Sequence, residues 1–254
     1  MDNLEQVRFR REGEVAVLTL ARPQVLNALS PTLIAEALRV AEAVATSDAR
    51  VLVMVGEGRS FSAGVDLKAV TAPDYTPEVR KAFSDNARRL CVLLESMPQP
   101  VIARVTGHCF TGGLELALAC DFILASDDAV FCDTHAKLGM RPGWGLSQRL
   151  PRRIGQQRAR EMSFTARRVS AAEAVQLGLI LDAVPADQLD ARVTTLIEAI
   201  LPSSADAVAA YKTLYRKAQT TTLDEGLAFE ATADLKLGDR AGRVAASGPA
   251  SRAL

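Results

Sequence analysis

Neither sign of charge prevails in this sequence: 30 Lys and Arg are matched by 30 Asp and Glu across 254 residues. A nucleic-acid-binding surface normally draws on a basic excess, so the balance speaks against that class. Long hydrophobic runs are missing too. A membrane-crossing helix needs roughly 18 uncharged apolar residues. The longest uncharged stretch, Pro23 to Ala35, is interrupted by Gln24, Asn27, Ser30, Pro31 and Thr32. Cysteine and histidine are scarce. Cys91, Cys109, Cys120 and Cys132 form no CxxC pair, and only His108 and His135 could join them as ligands. Structural zinc is therefore not expected, and small buried thiols in a reducing compartment are. Met1-Asp2-Asn3-Leu4-Glu5 has neither a basic nor an apolar leader region, and Arg252-Ala253-Leu254 is not a peroxisomal address. The expectation is a cytoplasmic protein that handles small molecules and engages neither nucleic acid nor membrane.

The nucleotide fingerprints are absent as well. Gly107-His108-Cys109-Phe110-Thr111-Gly112-Gly113 has the GxxxxG spacing of a phosphate loop, but Gly113 and Leu114 stand where a lysine and a hydroxyl residue should follow. No GxGxxG follows a strand, and no GxSxG nucleophile elbow occurs. What is present is an ordinary globular composition, 48% hydrophobic and 24% charged, enough to bury a core without metals or disulfides.

Val7 to Arg11 and Val15 to Leu20 read as a hairpin around Glu12-Gly13. Ser30 and Pro31 start a helix whose apolar residues recur at helical spacing. Val51 to Val55 is a continuous apolar run, the mark of a parallel strand buried on both faces. Thr76-Pro77-Glu78 opens a helix that ends before Pro98. Val101 to Val105 is a strand, Gly107 to Gly113 a glycine-bearing turn, and Leu114 to Cys120 a helical segment. Phe122 to Leu124 and Ala129 to Phe131 are further strands. From about Leu146 helices dominate. Ser170-Ala171-Ala172-Glu173 and Thr222-Leu223-Asp224-Glu225 read as capping boxes, and the Ala/Ser/Gly-rich end from Val244 is expected to fray. The pattern predicts an α/β core over residues 1–190 and a helical region over 191–254.

Gly112 and Gly113 feed a helix start directly, leaving unobstructed backbone N–H groups at its positive end. Such donors suit an oxygen that becomes negative during reaction. Glu115, in the first turn, either complements the helix start or takes part in chemistry. The loop Phe61-Ser62-Ala63-Gly64-Val65-Asp66-Leu67-Lys68 could present a second N–H near Val65 to the same oxygen.

Taken together, these pieces resemble the crotonase superfamily, the enoyl-CoA hydratase/isomerase family. Arg22-Pro23 with Asn27-Ala28-Leu29, the Phe61–Leu67 loop, and Pro100-Val101-Ile102-Ala103 stand in the family's order. So do Gly107 with Gly112-Gly113-Leu114-Glu115, Cys120-Asp121, Pro142-Gly143 with Gln148-Arg149-Leu150, and Ser170 to Ala174 with Gly178-Leu179. The resemblance implies a crotonase-type spiral of ββα turns with a C-terminal α-helical oligomerisation region, assembled as a homotrimer or dimer of trimers. It implies an acyl-CoA thioester carbonyl held between the amides of Val65 and Gly112. Ala63, Asp66, Leu67 and Lys68 would line the CoA, with Lys68 near its phosphates. Gly143 and Trp144 would border the acyl group, and Trp144, where hydratases have a small residue, would reshape that pocket. Neither a metal nor a separate cofactor is implied, since CoA belongs to the substrate.

One departure stands out. Hydratases of the family use two glutamates to place a water; Glu115 matches the first, but His135 stands at the second. Histidine retains acid–base capacity near neutral pH, and in an extended segment Asp133 would share its face and could orient it. His108 reads as structural. The expected activity is addition of water to a 2-enoyl-CoA with Glu115 and His135 as the acid–base pair. The alternatives are another crotonase-type reaction (isomerisation, thioester hydrolysis or decarboxylation) or acyl-CoA binding without turnover. The apolar positions Val193, Leu196, Ile197 and Ile200 are expected to need a partner surface.

Overall fold

The structure, a computed structural model, describes residues 3–246. Its first elements are the predicted hairpin, β1 (Val7–Glu12) and β2 (Val15–Leu20), paired antiparallel, then α1 (Pro31–Ala45). Ser30 Oγ accepts from Leu33 N at 3.1 Å, and Pro31 occupies the first helical position. Next come β3 (Val51–Gly56), α2 (Pro77–Ser96), β4 (Val101–Val105), β5 (His108–Phe110), α3 (Gly112–Leu118), β6 (Phe122–Ser126) and β7 (Val130–Cys132). The chain continues through α4 (Leu146–Ile154), α5 (Gln156–Thr165), β8 (Val169–Ser170), α6 (Ala171–Gln176), β9 (Asp182–Val184) and α7 (Leu189–Ile200). It closes with α8 (Ala205–Ala218), α9 (Leu223–Thr232) and α10 (Arg240–Ala246). Most of the end from Val244 that was expected to fray lies outside the described residues.

Two sheets organise these elements. The larger runs β1-β2-β3-β4-β6-β9, parallel from β2 onward; the smaller runs β5-β7-β8. Successive strands alternate between them: β4 lies in the large sheet and β5 in the small, then β6 in the large and β7 in the small. An isolated bridge from Ser62 to Cys109 carries the alternation back to β3. The result is the expected spiral. Its register is a physical constraint on the site. Ser62 pairs with Cys109, and Cys109 with Phe131. Each loop leaving this line therefore sits beside the next.

β3 is buried on both faces, as its unbroken apolar run predicts. Leu52 and Met54 join the main core with α1 and α2, whereas Val51 and Val53 join a second cluster with Leu124 and Val193. That second cluster corrects an expectation. Val193 is buried in it, and Leu196, Ile197 and Ile200 of α7 pack against it. The chain's own sheet supplies the surface that a partner was expected to supply. Two local differences are smaller. The segment from His108 to Phe110, read as part of a turn, is a short strand because Ser62 and Phe131 flank it with ladder partners. Only half of the Ser170 capping box forms: Ser170 Oγ accepts from Glu173 N, but the Glu173 carboxylate turns to Arg167. The Thr222–Glu225 box is complete. No single helix among the described residues is long and apolar enough to cross a membrane.

The C-terminal region is tied to the core by Lys212 on α8. Its ammonium donates to Asp121 Oδ2 at 2.6 Å and to the carbonyls of Gln99 and Leu94 at 2.8 and 3.3 Å. All four cysteines are free and buried, and burial pushes the Cys91 thiol up to about 12.

Candidate active site

Three loops leave the register line Ser62–Cys109–Phe131 side by side, and each delivers part of the site. From Ser62 the chain reaches Val65 in three residues. Gly64 makes the turn at φ +94°, and a Cβ there would lie 3.0 Å from Phe110 O and 3.6 Å from Gly112 N. Only a glycine lets the two loops approach this closely. From Cys109 the chain reaches Gly112, also in three residues, through Thr111 at φ 52°, ψ −108°. A left-handed φ at a threonine is strained. Thr111 Oγ1 lies 2.6 Å from Thr134 Oγ1 and accepts from Thr134 N at 3.2 Å, fastening this turn to the third loop. Among the described residues, neither Val65 N–H nor Gly112 N–H has a protein acceptor. Two donors thus stand unengaged at adjoining loops, the pattern that suits a developing oxyanion.

Asp66 holds the first loop. Arg22 Nη1 donates to Asp66 Oδ2 at 2.8 Å, and Asp66 Oδ1 accepts from the amides of Lys68 and Ala69. Burial alone would raise the Asp66 carboxyl. The Arg22 guanidinium and those amides outweigh it and hold the group below the usual aspartate range. Asp66 therefore braces the Val65 loop. Ala63 is half-buried, and Leu67 and Lys68 lie on the exposed rim of the same loop.

Glu115 sits in the first turn of α3 with its side chain 2% exposed. Its Oε1 accepts from Trp144 N at 2.8 Å and from Leu146 N at 3.1 Å, so this oxygen is fully occupied. Its Oε2 faces His135 Nε2 at 3.8 Å. That separation exceeds a hydrogen bond, but a water about 2.8 Å from each atom would bridge it. Two opposing influences act on Glu115, and burial wins. It raises the carboxyl above its ordinary value against the pull of the Leu146 and Trp144 amides and of His135.

His135 and Asp133 meet, but not by sharing a strand face. The chain turns after β7, with His135 at φ −53°, ψ −54°. Asp133 Oδ1 accepts from both His135 N at 3.1 Å and His135 Nδ1 at 2.7 Å. A cavity of about 310 Å³ borders both residues and is walled by Met140, Leu146, Leu150 and Phe164 from the segment leading into α4 and from α4 and α5.

Trp144 is buried, with its ring against Gly112 and edge-on to Phe83 at 5.4 Å. Gly143, next to it, is exposed. His108 lies outside the cluster, with Nδ1 3.1 Å from Ser60 Oγ and its ring edge-on to Phe110. Thr111, Thr134 and Ser163, whose side chain hydrogen-bonds Asp133, were missed from the sequence. Only the positive φ at Thr111 has a local signal, the glycine pair that follows it.

A spiral of ββα turns with two unengaged amides at adjoining loops, and a buried carboxylate facing a histidine, fits the crotonase class. Residues 10–243 match the family model for enoyl-CoA hydratase/isomerase. A short-chain-enoyl-CoA hydratase from Clostridium acetobutylicum is 34% identical over 91% of this chain and 88% of its own. The crystal structure of an enoyl-CoA hydratase from Bacillus anthracis superposes with a TM-score of 0.89 at 32% identity, over 95% of each chain. A Thermobifida fusca protein solved in complex with acetoacetyl-CoA gives 0.83 at 31% identity, also over 95% of each. The chain belongs to the enoyl-CoA hydratase/isomerase family of the crotonase superfamily.

Proposed function

We propose that this protein adds water across the double bond of a 2-enoyl-CoA thioester. The observation that carries the reading is the 3.8 Å gap between Glu115 Oε2 and His135 Nε2, set beside the free amides of Val65 and Gly112. The thioester oxygen would take both amides. Attack of water at the β-carbon would then push charge onto that oxygen, where fixed donors in a water-poor site are worth several kcal/mol. Glu115 and His135 would handle the two protons, one taken from water and one delivered at the α-carbon. Relatives named as enoyl-CoA hydratases at 34% and 32% identity support the reading, and the acetoacetyl-CoA complex of the Thermobifida protein supports a CoA thioester as ligand. Ala63, Leu67 and Lys68 would run along the CoA, with Lys68 exposed toward its phosphates. Trp144 fills space beside Gly112, so the acyl groups accepted would be short. Assembly as a homotrimer or dimer of trimers belongs to the same reading.

The test is a screen of 2-enoyl-CoA esters of graded length, followed by loss of enoyl absorbance, with product mass determined. A product heavier by one water, formed fastest from the shortest esters, supports hydration. An isomer, a free acid or carbon dioxide replaces it with another crotonase-type reaction. Binding without turnover makes the protein an acyl-CoA carrier.

A further inference from the structure

We infer that Asp133 is a positioning residue: it holds the His135 imidazole as the Nδ1–H tautomer, so that the Nε2 lone pair is the one aimed at the gap shared with Glu115 Oε2. The catalytic consequence rests on the hydration reading above, but the tautomer itself does not.

The argument starts from donor and acceptor capacity. An ionised carboxylate only accepts, so a ring nitrogen 2.7 Å from Asp133 Oδ1 must bring a proton to it. The same oxygen accepts from His135 N at 3.1 Å, and the Ser163 side chain also hydrogen-bonds Asp133. These partners also keep the group ionised. Burial would raise the Asp133 carboxyl, but the bonds from the His135 ring, Ser163 and the His135 amide outweigh burial and hold it below its ordinary value. With Nδ1 committed as a donor, neutral His135 carries its lone pair on Nε2. Glu115 from α3 faces the ring, and Arg141 and Arg160 line the adjoining cavity.

The same bookkeeping applies to Glu115. Its Oε1 is taken by two amides, so Oε2 is the oxygen left to exchange a proton at the gap, and burial pushes the carboxyl toward its protonated form. The Nε2 lone pair faces that oxygen, and the division of labour that fits this arrangement makes His135 the base and Glu115 the acid. His135 Nε2 takes a proton from water as the water oxygen bonds to the β-carbon, and the C=C electron pair moves onto the thioester oxygen. The Glu115 Oε2 proton then goes to the α-carbon as the carbonyl re-forms. The proton now on Nε2 returns to Oε2 across the gap, through the next water, and the site is reset. The imidazolium formed midway lies against the Asp133 carboxylate.

The chain has two histidines, so ¹⁵N-histidine labelling with long-range ¹H–¹⁵N correlation, at a pH where the rings are neutral, reads the tautomer directly. His135→Gln identifies which signals belong to position 135. In the parent protein the expected pattern is Nδ1 protonated and Nε2 free. Asp133→Asn should shift the ring toward the Nε2–H form and lower kcat about 10²–10⁴-fold with KM changed less than twofold, as expected when a base loses the group that fixes its tautomer. Nε2–H in the parent overturns the inference, and that measurement needs no variant to fold. An unchanged tautomer in folded Asp133→Asn overturns it as well. An Nδ1–H ring in a protein that hydrates no 2-enoyl-CoA leaves the positioning role standing and removes the hydration reading.

Discussion

The indole of Trp144 stands where a side chain on Gly112 would have to go. A Cβ on Gly112 would lie 2.6 Å from Trp144 Cζ3 and 3.2 Å from Leu29 Cδ1. The residue whose amide we propose as an oxyanion donor is therefore held from behind by a large buried ring, which is itself braced edge-on by Phe83. A side chain at position 112 displaces that ring, and a missing N–H removes a donor. These two effects are separable.

Gly112→Ala keeps the amide and should lower stability by about 1–3 kcal/mol through overpacking against Trp144, with a moderate fall in kcat/KM. Gly112→Pro brings the same crowding and also deletes the N–H. Proline also restricts the residue before it to extended backbone, whereas Thr111 is at φ 52°, ψ −108°. The comparison is therefore made on variants shown by far-UV circular dichroism to be folded. Relative to Gly112→Ala, Gly112→Pro should lose a further ~2.7–4 kcal/mol of transition-state stabilisation, the typical worth of one oxyanion donor. Thermal unfolding and kcat/KM on a short 2-enoyl-CoA, measured for both variants, check this. If folded Gly112→Pro turns over as fast as Gly112→Ala, the amide does not bind the developing charge. Trp144→Ala supplies the converse: it should widen turnover toward longer acyl chains at about 3–5 kcal/mol in stability.

The second prediction concerns the brace on the Val65 loop. Asp66 is held below its ordinary pKa, so its pairing with Arg22 contributes stability that is fully present above the unfolded aspartate value. The contribution is lost as pH falls through the lower folded value. Both side chains are largely buried, 17% and 11% exposed, so the contribution should be about 1–3 kcal/mol, between that of surface and fully buried pairs. Asp66→Asn should therefore unfold at a lower temperature than the parent near pH 7. The difference should shrink from about pH 4 downward as the parent's own carboxylate is protonated. A Tm difference that stays constant from pH 7 to pH 3 would show that the charge of Asp66 contributes nothing.

Much of the site was legible because its determinants are local. Gly112, Gly113 and Glu115 lie within four residues, and a glycine pair opening a helix with an acid in its first turn can be read without the fold. Val65 was legible through its loop motif. What escaped depends on neighbours distant in sequence. The strand character of His108–Phe110 comes from Ser62 and Phe131 on either side, and Ser163 reaches Asp133 from a helix thirty residues downstream. The Asp133–His135 contact was anticipated from an extended segment; it arises from a turn in which the carboxylate caps the His135 amide. Periodicity showed an apolar stripe on α7 but could not say what covers it, because a chain's own sheet and a partner demand the same pattern.

That last point redirects the expectation of assembly. With α7 seated on its own sheet, a cluster of exposed apolar side chains remains on the next two helices. Tyr211 and Tyr215 of α8 are 58% and 65% exposed, and Leu223 and Leu227 of α9 are 77% and 55% exposed. The four line one groove between the two helices. Clustered apolar surface of this kind on a charged protein points to burial against a partner, and the proposed homotrimer or dimer of trimers would supply one. Sedimentation equilibrium at micromolar concentration should give a mass three or six times the 27.2 kDa of the chain. Leu223→Glu combined with Leu227→Glu should lower that mass toward one chain, because the two carboxylates added per chain, six in each trimer, would then have to be desolvated at its interfaces. Both positions are exposed on the single chain, so its own fold should survive, as far-UV circular dichroism would show. A parent mass near 27 kDa excludes the assembly. A double variant that sediments as the parent does moves the interface away from the α8–α9 groove.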